Sequence, residues 1–247
     1  MPLRMSEGLP LLPATRRREP ATETTHARVA ADERVAPRGV RRVAGARAAK
    51  GKARAVKSEA GSRERKLAVP RRRQQQADWC WAACVDMVLH YYGLREVEQC
   101  EIVGRKIKRA DSCDDPLDEE FSVPCAPKWV RGVWAAWGLD ARSHLPRKGR
   151  LGWISEAALK RELNAGRPVE VGLRWDNGGG HAVVVRGWRA GRGGRTFYFV
   201  NDPWNWAGDP REEFFAEGVG QVSYQELRTA YGMGRWKWTW TGISPKG

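Results

Sequence analysis

One cysteine, Cys80, stands between two tryptophans in the run QQQADWCWAACVDMVLHYYG, Gln74 to Gly93. A thiolate is a strong nucleophile, and it forms most readily where positive potential surrounds the sulfur. This run offers such a place. Trp81, Val85, Val88, Leu89 and Tyr92 recur on one helical stripe, Asp78 is suited to cap the first turn, and Gly93 suits a left-handed stop. Cys80 then falls in the first turn, where unpaired N–H groups and the helix dipole favour negative charge. Nucleophilic catalysis also needs a base, a group that orients the base, and donors for the oxyanion.

Four histidines compete for the base. His26 lies in a basic N-terminal stretch. His90 is ten residues along the Cys80 helix, about 15 Å away at 1.5 Å per residue, too far to serve the thiol. His144 has no chemical partner nearby in sequence. His181 opens an extended run straight after Gly178-Gly179-Gly180, where glycines let backbone pass close to a ligand. The following extended run ends in Asn201-Asp202-Pro203-Trp204. In an antiparallel hairpin the start of one strand lies beside the end of the next, so Asn201 or Asp202 comes near His181. An acceptor there fixes one ring nitrogen and aims the other at Cys80.

These stretches resemble a known family. Gln74–Ala83 reads Q-x5-C-W-A-A, then come GGGHAVVV and NDPW, in that order. The pattern is similar to the papain-like cysteine peptidases, in particular the bacterial branch that includes secreted effector proteases and relatives of the bacteriocin-leader peptidases. The resemblance spans roughly residues 74–243. It implies a papain-like α+β fold, with an N-terminal helical half, a C-terminal antiparallel β half and the active site in the cleft between them. It implies peptide-bond hydrolysis by Cys80, His181 and Asp202, with Asn201 as the fallback acid. Gln74 would donate its amide to the oxyanion beside the Cys80 N–H. Trp79, Trp81, Gly180 and Trp204 flank these residues and are the expected substrate-binding positions, Trp204 also as a shield over the His–acid bond. The expected partner is a protein or peptide substrate, with no metal, no organic cofactor, no obligatory nucleic acid and a monomeric chain. The same triad would serve a side-chain amidase, deamidase or acyltransferase. A non-catalytic module with an anion-binding leader is the other alternative.

The elements that must position these residues follow from the pattern. EVEQCEIVGRKIKR reads as a second helix, PKWVRGVWAAWG as a third with Pro127 in its first turn, and the stretch from Ser155 to Gly166 as a fourth. A polar loop fills 110–126, and another passes through His144 and Pro146. Extended runs follow at Val169–Trp175, His181–Ala190, Arg195–Asp202 and Trp236–Gly242, with a long loop after Pro203 and a short helix capped by Ser223. Helices first and antiparallel strands after indicate an α+β domain.

Composition divides the chain. Residues 1–73 carry 20 Lys+Arg against 7 Asp+Glu and no Trp, Tyr, Phe or Cys; the rest carries 24 against 22. The net charge of +15 therefore belongs mostly to a leader too poor in apolar residues to fold, so nucleic-acid binding by the folded part does not follow. The leader reads as a tether or secretion address, a removable pro-segment or the product of an upstream start. The exposed basic stretch LAVPRRRQQQ is a plausible cleavage point. No Sec-type signal and no membrane-spanning run is visible. Setting Cys80 aside leaves Cys84, Cys100, Cys113 and Cys125, with three possible pairings; Cys100–Cys113 with Cys84–Cys125 is the expected one. Such pairing suggests export or translocation from a bacterium, with a cytoplasmic location as the alternative. A zinc site is disfavoured because no CxxC spacing occurs.

Overall fold

The computed structural model describes residues 63–124, 127–148, 152–204, 215–216 and 219–247. The N-terminal residues 1–62, Cys125 and most of the long stretch after Trp204 lie outside the described residues.

The chain enters as a short strand, β1 (Glu64–Lys66). Three helices follow: α1 (Cys80–Tyr91), α2 (Gln99–Ile107) and α3 (Pro127–Ala136). After them come β2 (Leu139–His144), α4 (Glu156–Asn164), β3 (Val169–Trp175), β4 (Gly180–Ala190) and β5 (Thr196–Asn201). The chain closes with β6 (Phe215–Ala216), β7 (Val219–Ser223), α5 (Tyr224–Arg228) and β8 (Gly234–Pro245). Among the described residues the strand pairings are antiparallel, in the order β2-β8-β3-β4-β5-β7-β6, and β1 pairs with β4. The fold is α+β, with the helical segments ahead of most of the sheet. No helix among the described residues is long and apolar enough to cross a membrane.

α1 is the centre of the packing. Every residue from Trp81 to Leu89 is buried, so the helix is enclosed rather than one-sided. That enclosure includes one carboxylate, Asp86, which is tolerable only because it is partnered. Its Oδ2 accepts from Arg72 Nε at 3.0 Å and from Gln99 Nε2 at 3.1 Å, and its Oδ1 lies 2.8 Å from His90 Nδ1. His90 thus serves the fold at the far end of α1. The helix ends as its sequence indicates, with Gly93 at φ +91°.

Three expectations change here. The stretch read as a loop through His144 contains β2, an edge strand on β8. Its residues Asp140, Arg142 and Ser143 hide the strand because an edge needs only one buried face. The boundary drawn at residue 73 also moves. β1 pairs with β4 over Glu64–Lys66, and Leu67 and Val69 are buried in the core. LAVPRRRQQQ is therefore part of the domain and not an exposed linker. Cys100 and Cys113 form the expected disulfide, but Cys84 is a free, fully buried thiol, so the expected Cys84–Cys125 bridge is not formed. Cys84 faces the sheet from inside α1, where an apolar core already surrounds it.

Close approach fixes one glycine. A Cβ on Gly172 of β3 would lie 1.6 Å from the Trp238 ring of β8, so the indole lies flat over bare backbone. Gly172 has Trp238 as its register partner.

Candidate active site

Cys80 is the first residue of α1, at the N-terminal tip. Trp79 holds the N-cap position and its side chain makes no capping hydrogen bond, so Asp78 does not cap the helix as its sequence position suggests. The Asp78 carboxylate instead accepts from Ser122 Oγ at 3.4 Å. A capping acid would have occupied the first-turn N–H groups; without one they stay available to an anion. Cys80 itself is half-buried.

The register of the sheet delivers the other two residues. Val184 of β4 pairs with Asn201 of β5, so continuing by one residue sets Asp202 beside Val183. His181 is two residues from Val183 and shares its face, since side chains alternate along a strand. Asp202 is thereby a diagonal neighbour of His181, within side-chain reach. Its Oδ1 lies 2.7 Å from His181 Nε2 and also accepts from the Trp204 backbone N–H at 2.8 Å. The same parity turns Asn201 to the other face. There its Nδ2 donates to the Val69 carbonyl at 3.0 Å and its Oδ1 accepts from Arg186 Nε at 2.7 Å. Asn201 is thus bonded to the fold on the face away from His181, and Asp202 is the one that meets the ring.

Cys80 also lies beside His181, close enough for its sulfur to favour the charged ring. With Nε2 turned to Asp202, the other ring nitrogen is the one left for the sulfur. Burial alone would push the imidazole toward neutrality, but the charge and hydrogen bond of Asp202, with the contact to Cys80, outweigh it and raise its pKa to about 10. Trp175, at the end of β3, stacks on the imidazole with centroids 5.9 Å apart and planes 21° from parallel. Sequence reading took Trp175 only as the end of a strand. Its proximity follows from the β3–β4 register, which pairs Leu173 with His181.

Gln74 is buried close to the tip of α1, but both hydrogens of its amide are used. Nε2 donates to the carbonyls of Gln76 and Ala77 at 2.8 and 2.7 Å, while Oε1 has no partner. As observed, the side chain shapes the turn leading into α1. Gln76 is likewise committed, donating to the carbonyls of Pro116 and Asp118 at 2.6 and 2.9 Å.

The chain matches, over residues 63–214, the family described as papain-like cysteine protease AvrRpt2. It belongs to that family. Cysteine-protease activity is accordingly the activity of this chain. As a papain-like cysteine protease it is similar in structure to a double-glycine-motif protease from an AMS/PCAT transporter solved with its leader peptide: 19% identity, TM-score 0.41, 73% of this chain and 94% of that one covered. It is also similar to the peptidase domain of Streptococcus ComA, a bifunctional ABC transporter, with 13% identity, TM-score 0.46 and coverage of 72% and 99%. A third similar structure is the proform of Amb a 11, a ragweed pollen cysteine protease, with 15% identity, TM-score 0.43 and coverage of 74% and 65%. No curated protein matches the chain.

Of the expected substrate-binding residues of this protease, two are excluded. Trp79 is fully buried and donates from Nε1 to the Phe121 carbonyl at 2.6 Å; Trp81 is buried and donates to the Val123 carbonyl at 3.1 Å. Both indoles anchor the loop before α3 to α1 and are buried in doing so. Gly180 is exposed at the start of β4, and Trp204 is 37% exposed beside the acid. These two remain accessible to a ligand.

Proposed function

We propose that this papain-like protease is an endopeptidase that cleaves peptide bonds through Cys80, His181 and Asp202, acting on a protein or peptide substrate. The observation that carries the reading is the 2.7 Å bond between His181 Nε2 and the fully buried Asp202, with Cys80 beside the same ring. The raised ionisation of His181 favours an imidazolium beside a thiolate, the reactive pair. Cys80 attacks the scissile carbonyl, His181 protonates the leaving amine, and the imidazole then takes a proton from water to release the acyl group. The Cys80 N–H, left uncapped at the helix tip, is one oxyanion donor. Gln74 is the second, after exchanging one of its two turn bonds for the developing negative charge. Asp202 keeps the imidazole in one orientation and tautomer.

Export or translocation from a bacterium fits the Cys100–Cys113 disulfide, a bond that persists in oxidising surroundings. An effector role is consistent with membership of the AvrRpt2 family. The deciding experiment is a proteome-wide search for new N-termini produced by wild type and by Cys80→Ala. Termini that appear only with wild type support the endopeptidase; glutamine mass shifts without new termini would replace it with a side-chain amidase.

A further inference from the structure

The segment ahead of α1 is held against the acid arm of the site at Leu67, Val69, Arg71 and Gln74. Leu67 N–H donates to the Arg186 carbonyl at 2.8 Å, and Val69 receives Asn201 Nδ2. Arg71 then spans the turn that follows the acid: Nε donates to the Asp202 carbonyl and Nη2 to the Trp204 carbonyl, both at 3.0 Å. Between them the Gln74 N–H donates to the Pro203 carbonyl at 3.0 Å. Three successive carbonyls, 202 to 204, therefore accept from residues 71 and 74.

This arrangement answers a mechanical need. Asp202 lies just past the last residue of β5, where the ladder no longer fixes the backbone. Pro203 has no N–H to contribute to any pairing. Yet the carboxylate depends on local backbone geometry, because one of the two partners of Oδ1 is the Trp204 N–H and Oδ2 has none. If residues 202–204 shift, the bond to His181 shifts with them. The same segment ends at Gln74, so one strap joins the acid side of the site to the turn that leads into the nucleophile helix.

We propose that Arg71 is a positioning residue of the protease, bridging the Asp202 and Trp204 carbonyls so that the carboxylate stays aligned on His181. The inference rests on the reading of Cys80, His181 and Asp202 as the reacting set. It also explains why a segment with the composition of a basic linker is built into the fold.

The test uses the full chain carrying Arg71→Ala or Arg71→Lys. Peptide kcat and KM, thermal stability, and the pH profile of Cys80 alkylation by iodoacetamide are measured. Arg71→Ala is expected to lower kcat about 10- to 100-fold, the scale of a misplaced catalytic group, with KM changed less than about twofold. Cys80 alkylation at pH 6 slows and recovers at higher pH, because a less well-held acid stabilises the imidazolium less. Guanidinium ion at low millimolar concentration restores part of the rate in Arg71→Ala and none in wild type. Arg71→Lys, which keeps the charge but not the two-pronged donor, falls between the two.

Wild-type kcat and alkylation in folded Arg71→Ala would overturn the proposal, as would a kcat loss that guanidinium does not relieve. If Arg71→Ala does not fold, Arg71→Lys decides: a folded lysine variant with the wild-type profile refutes the bridging role. Failure of the catalytic reading itself looks different. In that case wild-type Cys80 alkylates at pH 6 no faster than Cys80 in His181→Ala, whatever residue occupies position 71.

Discussion

Glu170→Gln should change how the stability of this protease depends on pH. Glu170 is the second residue of β3, fully buried, and neither carboxyl oxygen has a hydrogen-bond partner. Burial pushes its pKa up from 4.5 to about 8. In the folded protein the carboxyl is thus neutral at pH 7, while in the unfolded chain it is ionised. A raised folded value means stability that is fully present below about pH 4.5 and lost as pH rises through about 8. At 1.36 kcal/mol per pH unit the full window is worth about 5 kcal/mol, and the part between pH 5 and 8 about 3 to 4 kcal/mol. Glutamine keeps the shape but does not titrate. Its buried amide hydrogens cost about 1–3 kcal/mol if unpaired, a constant offset that does not vary with pH. Urea unfolding of both proteins at pH 5, 6, 7 and 8 gives two curves. The wild type should lose about 3 to 4 kcal/mol relative to the variant between the ends of that range. His181 also titrates in its own window, from 6.5 upward to about 10, but it is common to both proteins and cancels in the difference. Parallel curves would refute the argument, because they would mean that Glu170 is already ionised in the folded state.

Four further outcomes are expected. Cys80→Ala should abolish hydrolysis and labelling by a thiol-directed inhibitor while circular dichroism stays unchanged, since the side chain is only half-buried. Asp202→Asn should lower kcat by about 10³–10⁴, because an amide can hold the wrong imidazole tautomer, and should bring the His181 ionisation down from about 10, followed by NMR titration. Reduction of Cys100–Cys113, or Cys113→Ser, should cost about 3 kcal/mol for a closed loop of this size, read from urea unfolding with and without reductant. Gly172→Ala should lower the melting temperature sharply, since the new methyl meets the Trp238 ring and the flat stacking has no room to give.

The residues proposed to react each stand at a strong local signal in the sequence. Cys80 lies at a helix start, His181 after three glycines, and Asp202 at the end of the next strand, and strand alternation decides between Asp202 and Asn201 once the register is known. What stayed hidden depends on pairing at long range. Leu67 and Val69 alternate as a strand would, but the surrounding Arg and Lys made the stretch look like solvated linker, so Arg71 was lost with it. β2 is polar because it is an edge. The role expected of Trp79 and Trp81 failed because flanking a nucleophile in sequence does not mean facing the cleft: in the first turn of a buried helix both indoles point inward, toward the 121–123 carbonyls. Glu170 lies inside an apolar run, where an uncharged carboxyl is indistinguishable by pattern from any other inward residue.

Where β1 joins the sheet sets a limit on self-cutting. Glu64 is opposite Arg189, at the end of β4 remote from His181, eight residues and roughly 25 Å along the strand. A chain gains at most about 3.5 Å per residue. A bond upstream of Glu64 therefore needs a return path of about seven or eight residues before it can reach the sulfur of the same molecule. Peptide bonds nearer to the sheet than that are open only to a neighbouring copy or to another enzyme, so the dilution dependence of any N-terminal trimming would report how far upstream the cut lies.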